Sequence, residues 1–510
     1  MHELALILDF GSQYTQLIAR RVREEQVYCR IERSDITAEL IRKMDPRAII
    51  LSGGPNSIFE EGAPQIDPDI FDLGIPILGV CYGLQLLARH YNGMVTPGET
   101  REYGPMGIKF PTESALFKDV EENSQVWMSH GDHVESISES FDIIARSSGG
   151  LIAGLAHRSK PIYGVQFHPE VNHTVQGQTM ISNFLFRIAR FSRDWTSSSF
   201  IESSIKNIQD TVGDKKVLLG LSGGVDSSVL AFLMHEAIGD NCIPVFINNG
   251  LLRTNETAEV KSLFEASHIK IYQYDYSQIF LSELAGIKDP EKKRKIIGRV
   301  FIESFEEVAN TYSDIEFLAQ GTLYPDVIES GSSSGYAVTI KSHHNVGGLP
   351  EKMSLKVLEP FKELFKDEVR AVGRILGVPP KIIGRHPFPG PGLAVRCLGE
   401  ITVERLNILR AADKIFIETL YETGWYDKIW QAFSVILPLQ TVGVMGDKRT
   451  YENVLAIRAV HSLDGMTADW VRIPYEILAE VSSKIVNSVA GVNRVVYDIT
   501  SKPPGTIEWE

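Results

Sequence analysis

Seven consecutive residues near the middle of the chain have types and spacing that suit the binding of an anion. An apolar run, residues 217–221, precedes them and a run of good helix formers follows, so the pattern predicts strand, tight turn and helix N-terminus. Glycines let the backbone approach a ligand, and the first N–H groups of the helix point at it. We therefore predict a phosphate loop, made of Ser222, Gly223, Gly224, Val225, Asp226, Ser227 and Ser228.

One acidic residue, Asp226, stands inside this phosphate loop. Phosphate oxygens repel a carboxylate unless a divalent cation lies between them. The loop therefore predicts a nucleotide phosphate together with Mg²⁺, with Asp226 as the metal ligand. It is not a Walker A loop, because the Gly-Lys-Ser/Thr ending is missing. The alternative is an ordinary glycine turn capped by serines.

A second group of residues has the types needed for nucleophilic catalysis. Cys81 lies between Gly79 and Gly83 with the spacing of a nucleophile elbow, in which small residues permit the strained turn. The helix that begins behind the cysteine favours its thiolate. His168 is the best general base, and Glu170, two residues further on in an extended segment, can orient its ring. The sequence thus predicts a catalytic Cys–His–Glu triad.

Backbone N–H groups beside the elbow are candidates for an oxyanion hole, at Gly53, Gly54 and Tyr82. The alternative for Cys81 is a buried structural thiol, and the alternative for His168 is a strand-end histidine satisfied by its neighbouring carboxylate. Two histidines within residues 129–133 raise the question of a metal site. That interpretation is weak because further ligands at metal spacing are missing.

The elements that must hold these residues are short apolar strands that alternate with helices. This alternation predicts parallel sheets, whose sites lie at the carboxyl ends of the strands. The segment 248–253 follows one such strand and is a natural place for adenine and ribose. The predicted strands are residues 4–8, 48–51, 75–80, 217–221, 243–247 and 317–319.

Length and composition limit the class of protein. The 510 residues allow about two to four domains, and 43% apolar residues support several cores. A net charge of −14 argues against nucleic acid or an anionic membrane as the main partner. Four scattered cysteines exclude a disulfide scaffold and fit a reducing cytosol. With no basic leader pattern and no 18-residue apolar run, we expect a cytoplasmic protein.

A basic run at residues 292–295 begins a predicted helix. We expect Lys292 and Lys293 to lie on its solvated face, whereas for Arg294 and Lys295 solvation and ligand binding both remain open.

A flexible Gly/Ser segment, residues 331–335, leads to Lys341, His343 and His344. A mobile basic loop beside a nucleotide site predicts a lid that excludes water from a reactive intermediate. The alternative is a disordered surface excursion. Near the end of the chain, a double proline flanked by Lys502 and Glu508 predicts a clamp on a ligand, with a docked structural terminus as the alternative.

Four motifs resemble those of class I glutamine amidotransferases: Ser-Gly-Gly-Pro, Gly-Val-Cys-Tyr-Gly, Ser-His-Gly-Asp and Gln-Phe-His-Pro-Glu. The resemblance implies that Cys81, His168 and Glu170 hydrolyse glutamine and that a loop, residues 129–132, helps to hold it. The Ser-Gly-Gly-x-Asp-Ser motif resembles the loop of ATP pyrophosphatases, which implies that ATP binds there by its β,γ-diphosphate.

Together with the Lys-Pro-Pro-Gly-Thr-Ile-Glu-Trp-Glu tail, the motifs resemble the family of glutamine-hydrolysing GMP synthases over the whole length. The resemblance implies glutamine, ATP and XMP as substrates, and a homodimer formed through the C-terminal domain. Asn248 departs from the Asp expected in many relatives, which leaves its part in nucleotide binding open. By motif match, the candidates for XMP binding are Arg294, Gln431, Asp447, Lys502 and Glu508.

The expected fold class is α/β, with two parallel-sheet α/β domains and a C-terminal α+β dimerisation domain. We place the amidotransferase at residues 1–190, a linker at 191–207, the ATP pyrophosphatase at 208–385 and the dimerisation and XMP-binding domain at 386–510.

Three other functions compete with this interpretation. An RNA-modifying pyrophosphatase would need a basic groove and a cysteine near the phosphate loop, and a nucleotide-sensing module would not need the triad. The first two domains alone also fit an amidotransferase that makes NAD or asparagine.

Overall fold

The computed structural model describes residues 2–312, 314–331, 355–445, 448–462, 465 and 467–510. The chain forms two compact units, one that includes Met1–Phe200 and one that includes Ile201–Val327 and the described residues from 355 to 510. Each unit has its own sheets and apolar core. Among the described residues, no helix is both long and apolar enough to cross a membrane.

The first unit is built on a nine-stranded sheet, counted over its described residues. The strands are β1 (Leu4–Asp9), β2 (Tyr28–Arg33), β3 (Ala48–Leu51), β4 (Ile77–Val80), β5 (Met94–Lys109), β6 (Gln125–Ser136), β7 (Phe141–Ser147), β8 (Ile152–His157) and β9 (Ile162–Val165). The helices are α1 (Thr15–Glu24), α2 (Ala38–Met44), α3 (Tyr82–His90) and α4 (Gly177–Ser182), the last continued by a π-helical turn, Asn183–Ile188.

This sheet is parallel in one half and antiparallel in the other. The strand order is β2-β1-β3-β4-β9-β8-β7-β5-β6. The pairs from β2 to β9 are parallel, and those from β9 to β6 are antiparallel. Because β3, β4 and β9 are parallel neighbours, the residues that follow them meet at one edge of the sheet.

The second unit contains a parallel sheet and a smaller mixed sheet. The strands of the first are β10 (Lys216–Leu221), β11 (Cys242–Asn248), β12 (Tyr272–Asp275), β13 (Ile315–Ala319) and β14 (Lys356–Leu358), in the order β12-β11-β10-β13-β14. The strands of the second are β15 (Gln431–Met445), β16 (Lys448–His461), β17 (Asp469–Trp470) and β18 (Val492–Tyr497). In the mixed sheet β16 pairs with the other three strands, and only β18 lies parallel to it.

Helices cover both sheets of the second unit, and one apolar core extends from the parallel sheet into the mixed one. It includes Leu218 of β10, Val245 of β11 and Leu455 of β16. The helices are α5 (Ser197–Val212), α6 (Val225–Ile238), α7 (Glu256–Ala266), α8 (Ser277–Glu283), α9 (Pro290–Asn310), α10 (Tyr324–Gly331), α11 (Lys366–Ile375), α12 (Pro380–Ile383), α13 (Val403–Glu422) and α14 (Tyr475–Ser488).

Two local expectations need correction, and the structure adds a detail to a third. Residues 129–132 are part of strand β6 and not a loop, because they pair with β5. Lys293 is fully buried and not solvated, because its ammonium group has three oxygen partners inside the unit. The second half of the predicted linker is helical, since α5 begins at Ser197; Thr196 Oγ1 accepts from the N–H of Ser199, as an N-capping side chain does.

Candidate active sites

The chain makes a sharp turn at Cys81, where β4 ends and α3 begins. Its φ is 49° and its ψ is −100°, a strained conformation for a residue with a side chain. The two flanking glycines make the turn possible. A Cβ on Gly83 would lie 2.6 Å from the carbonyl oxygen of Leu51, and one on Gly79 would lie 2.7 Å from the carbonyl carbon of Gly83. The predicted nucleophile elbow is therefore present as a backbone structure.

His168 and Glu170, predicted as base and orienting group, lie beside Cys81. The Nδ1 atom of His168 is 2.7 Å from Oε1 of Glu170, and both residues are almost fully buried. Burial alone lowers the pKa of His168. Attraction to Glu170 and a hydrogen bond with Cys81 outweigh that effect, so the pKa of His168 lies well above its usual value. The pair can therefore hold a proton next to the cysteine sulfur.

A cleft of about 610 Å³ opens in front of Cys81 and His168. Gly53, a predicted oxyanion-hole residue, follows β3 at the same sheet edge; a Cβ there would lie 3.0 Å from Cε1 of His168. Gly54, the second candidate, lines the cleft. Tyr82, the third, is the first residue of α3, where N–H groups have no intrahelical partner. The structure thus brings all six predicted glutaminase residues together.

The wall of this cleft opposite the elbow is residues 129–132 of β6, which we call the β6 wall. The carbonyl oxygen of Ser129 is 3.8 Å from Sγ of Cys81. Asp132 accepts a hydrogen bond from Ser57 through its carboxylate, at 2.5 Å, and one from Gln85 through its carbonyl, at 2.9 Å. The β6 wall is thereby fixed relative to α3, the helix that carries the cysteine.

The phosphate loop, residues 222–228, joins β10 to α6 as the sequence predicts. Gly223 has φ +76°, a conformation that favours glycine, and Ser222 and Ser227 join their hydroxyl groups at 2.9 Å across the turn. The carbonyl of Gly223 accepts a 2.8 Å hydrogen bond from Arg385. No local sequence pattern points to Arg385, because it lies 162 residues away along the chain.

Asp226 lies in the first turn of α6 with two different oxygen environments. Its Oδ2 is 3.3 Å from Nζ of Lys366, and its Oδ1 is buried without a hydrogen-bond partner among the described residues. An orphaned carboxylate oxygen beside phosphate-binding N–H groups fits a cation ligand. Lys366 was also missed, since it opens a helix that no motif connects with this loop.

The residues predicted to hold XMP divide into two places. Glu508 accepts two hydrogen bonds from Arg396, at 2.8 and 3.0 Å, and a third from Gln431 at 2.8 Å. Arg294 donates to the backbone carbonyl of Glu510. Lys502 lies apart from these and donates to the carbonyl of Gly465 at 2.7 Å.

The buried cations around the tail show that it is docked in the second unit. Lys293 binds the Glu510 carboxylate, and the fully buried Arg458 donates to the carbonyls of Thr506 and Ile507. The predicted XMP residue Asp447 and the predicted lid residues, Lys341, His343 and His344, lie outside the described residues.

Models of three protein families match successive parts of the chain. The model described as glutamine amidotransferase class-I matches residues 6–188, that of NAD synthase matches 198–296, and that of the GMP synthase C terminal domain matches 418–509. An amidotransferase region followed by a nucleotide-dependent synthase region defines the class: this is a glutamine-dependent amidotransferase ligase.

Curated relatives narrow the class further. GMP synthases [glutamine-hydrolyzing] from Maridesulfovibrio salexigens and Clostridium novyi are each 54% identical, over 99% and 100% of this chain and 99% of each relative. That of Aquifex aeolicus is also 54% identical, over 99% of both chains. The chain belongs to the family of glutamine-hydrolysing GMP synthases.

Proposed function

We propose that two sites in this chain divide the conversion of XMP to GMP, with a glutaminase around Cys81 and an ATP site at the phosphate loop. Family membership gives the overall reaction, a carbon–nitrogen ligation in which ATP and glutamine are consumed and AMP, pyrophosphate and glutamate are released. What the residues at each site contribute is our proposal.

In the glutaminase, the thiolate of Cys81 attacks the side-chain amide carbon of glutamine. His168 gives its proton to the departing ammonia, and the N–H groups of Gly53 and Tyr82 stabilise the oxyanion. Water then attacks the thioester, His168 accepts its proton, and glutamate leaves. The hydrogen bond that Nδ1 of His168 donates to Glu170 supports this assignment, because it keeps the ring oriented and available to hold the proton.

At the second site, the O2 of XMP attacks the α-phosphorus of ATP and pyrophosphate leaves. The N–H groups and hydroxyls of residues 222–228 hold the departing diphosphate. Ammonia then displaces AMP from C2 of the adenylyl-XMP. Adenylation is needed because a purine carbonyl oxygen is a poor leaving group, and the nitrogen must arrive as ammonia because ammonium has no lone pair.

We place Mg²⁺ at Asp226, whose unpartnered Oδ1 supports the assignment. When bound, the ion neutralises charge on the phosphate oxygens. We place XMP near Arg294, Gln431, Lys502 and Glu508, and assign Asp447 to it by motif alone. The lid of Lys341, His343 and His344 likewise remains a proposal from sequence.

We further propose that the chain has the domain limits predicted from its sequence. We also propose that it forms a homodimer and is located in the cytoplasm. The hairpin formed by β15 and β16 exposes Val442, Val444 and Tyr451, by 49%, 75% and 64%. Such a patch supports dimerisation through the C-terminal domain.

A tRNA-thiolating activity has less support. Burial raises the pKa of Cys242, a cysteine on the strand next to the phosphate loop's own strand, to about 12, so this thiol is no ready nucleophile.

The observation that carries the proposal is the strained Cys81 beside a hydrogen-bonded His168–Glu170 pair, in one chain with the phosphate loop. Replacement of Cys81 by Ala is expected to abolish GMP formation from glutamine and to preserve it from ammonium salts. The test measures the rate of GMP formation with glutamine and, separately, with ammonium as the nitrogen source. Cys242→Ala, which removes another buried thiol, is the matched control and should retain both activities. Loss of both activities in Cys81→Ala would contradict two separable sites.

A further inference from the structure

A second buried acid–histidine pair, outside the triad, includes His130 of the β6 wall. Glu102 of β5 and His130 of β6 are directly opposite each other in the antiparallel ladder. Both are almost fully buried, and Oε2 of Glu102 is 3.5 Å from Nε2 of His130. Buried carboxyl and imidazole groups are costly to desolvate, so their presence here calls for a physical reason.

The surroundings of Glu102 accommodate a carboxyl group. Its Oε1 accepts a 2.8 Å hydrogen bond from the hydroxyl of Ser147, at the end of β7. A Cβ on Gly149 would lie 2.6 Å from the same oxygen, so a larger residue there would force the Glu102 carboxyl to shift. The carboxyl is thus held from one side and directed at His130 on the other.

The hydrogen bonds of His130 fix where protons must lie. Its Nδ1 is 3.0 Å from the carbonyl oxygen of Asp132, which can only accept, so Nδ1 carries a hydrogen. Nε2 then faces Oε2 of Glu102, and neither atom has a hydrogen-bond partner elsewhere among the described residues. Two facing lone pairs would repel each other, and a single proton between them removes the repulsion.

This pair acts on the cleft through the β6 wall. The Asp132 carbonyl that His130 holds also accepts from Gln85 on the helix of the nucleophile. Ser129, His130, Gly131 and Asp132 all line the cleft in front of Cys81. The direction of the wall's backbone groups therefore depends on the ring of His130, and the ring's position depends on Glu102.

We propose that Glu102 and His130 share one proton and act as a positioning pair that fixes the β6 wall for glutamine binding. The inference rests on the proposed glutaminase at Cys81. It assigns the two residues to substrate positioning and not to bond making or breaking, so their loss should alter KM for glutamine far more than kcat.

The test compares glutamine-dependent and ammonium-dependent GMP formation in Glu102→Met, Glu102→Gln and the wild-type enzyme. Methionine keeps the length of the side chain but cannot share a proton. KM for glutamine should therefore rise by about tenfold or more, which corresponds to a loss of about 1.4 kcal/mol in binding free energy. In Glu102→Gln, the amide side chain can pair with Nε2 of His130 in either protonation state. This variant should therefore restore KM for the substrate to near the wild-type value. The ammonium-dependent rate should stay unchanged in both variants.

Glu135→Met is the matched control, because Glu135 is exposed on β6, the strand of His130, and its replacement should leave KM unchanged. If Glu102→Met does not fold, His130→Gln takes its place; it lacks the Nδ1 donor to Asp132 and should raise KM equally. A KM near that of the wild type, or a fall in kcat alone, overturns the inference. If Cys81→Ala keeps its glutamine-dependent activity in the same assay, the proposed glutaminase itself is wrong.

Discussion

At the scale of single residues, the proposed glutaminase depends on the proton of His168. Glu170 and Cys81 together raise the pKa of that ring against the effect of burial. A raised pKa means that the ring keeps its proton to higher pH. Protonated His168 can then donate to departing ammonia above the usual titration range of histidine.

Replacement of Glu170 by Gln removes the charge and keeps the shape. The pKa of His168 should fall, so the ring loses its proton at lower pH. The alkaline limb of kcat/KM for glutamine should therefore move to lower pH, and the rate should drop by about 10²-fold or more. A pH–rate profile measures both effects. Glu113→Gln, an exposed acid in the same unit, should leave the profile unchanged; an unshifted limb in Glu170→Gln would refute the role of Glu170.

The proposed ATP site depends on Asp226, as the proposed glutaminase depends on His168. Asp226→Asn keeps the size of the side chain but weakens the oxygen ligand, and GMP formation should fall by about 10²-fold with glutamine and with ammonium alike. Initial rates over a Mg²⁺ titration measure this. The exposed Asp240, which follows α6, supplies the control Asp240→Asn. A variant that retains normal activity with either nitrogen source would exclude the metal-bridging role.

At the scale of elements, the junction between β4 and α3 sets the position of the nucleophile. Gly83 packs against the end of β3, where the Leu51 side chain and carbonyl leave no room for a methyl group. The short distance between the strand and the helix is therefore a requirement of the elbow.

Gly83→Ala should displace α3 and destabilise the first unit by about 1–3 kcal/mol. Glutaminase activity should fall with it, whereas ammonium-dependent GMP formation should persist. Thermal unfolding and a glutaminase assay test the two parts. Gly107→Ala is the control, because a Cβ there would lie 3.6 Å from its nearest neighbour, the carbonyl oxygen of Asn123, which is an ordinary contact. If Gly83→Ala were as stable and active as that control, the junction would not be the limiting element.

At the scale of the whole molecule, the C-terminal tail ties distant parts of the second unit together. Glu508 pairs with Arg396, and Glu510 pairs with Lys293 of α9. Both cations are fully buried, so the tail neutralises charges that would otherwise be left unpaired. A docked terminus and a ligand clamp, which the sequence left as alternatives, are therefore compatible roles.

Deletion of residues 502–510 should raise KM for XMP more than KM for ATP, because Lys502 and Glu508 lie in the tail and Arg294 and Gln431 contact it. Steady-state kinetics with each substrate varied in turn give the two values. Since deletion also leaves Arg396 unpaired, Glu508→Gln provides a milder variant with the same selective effect. An unchanged KM for XMP in both variants would show that the tail is only structural.

Local sequence patterns were sufficient to predict the parts of each site that consist of residues adjacent in the chain. The phosphate loop and the elbow each need a strand, a turn and a helix in direct succession, and the types of residue specify all three. The serine run at residues 197–199 begins α5. Serine favours both loops and helix N-caps, so the residue type alone does not show that a helix begins there. Lys293 was wrongly predicted to be solvated, because a basic run gives no indication that one of its ammonium groups will bind oxygen atoms in the core.

The sequence by itself determined the residue types and local turns on which the proposed chemistry rests: a cysteine elbow, a histidine with its carboxylate, and a glycine–serine loop proposed for phosphate. Only the tertiary structure decided what surrounds them. Arg385, Lys366 and the Glu102–His130 pair reach their sites through strand register and helix packing, because the contacts join residues far apart in the chain. No local pattern of residue types encodes such distances, so these partners became visible only when the sheets were assembled.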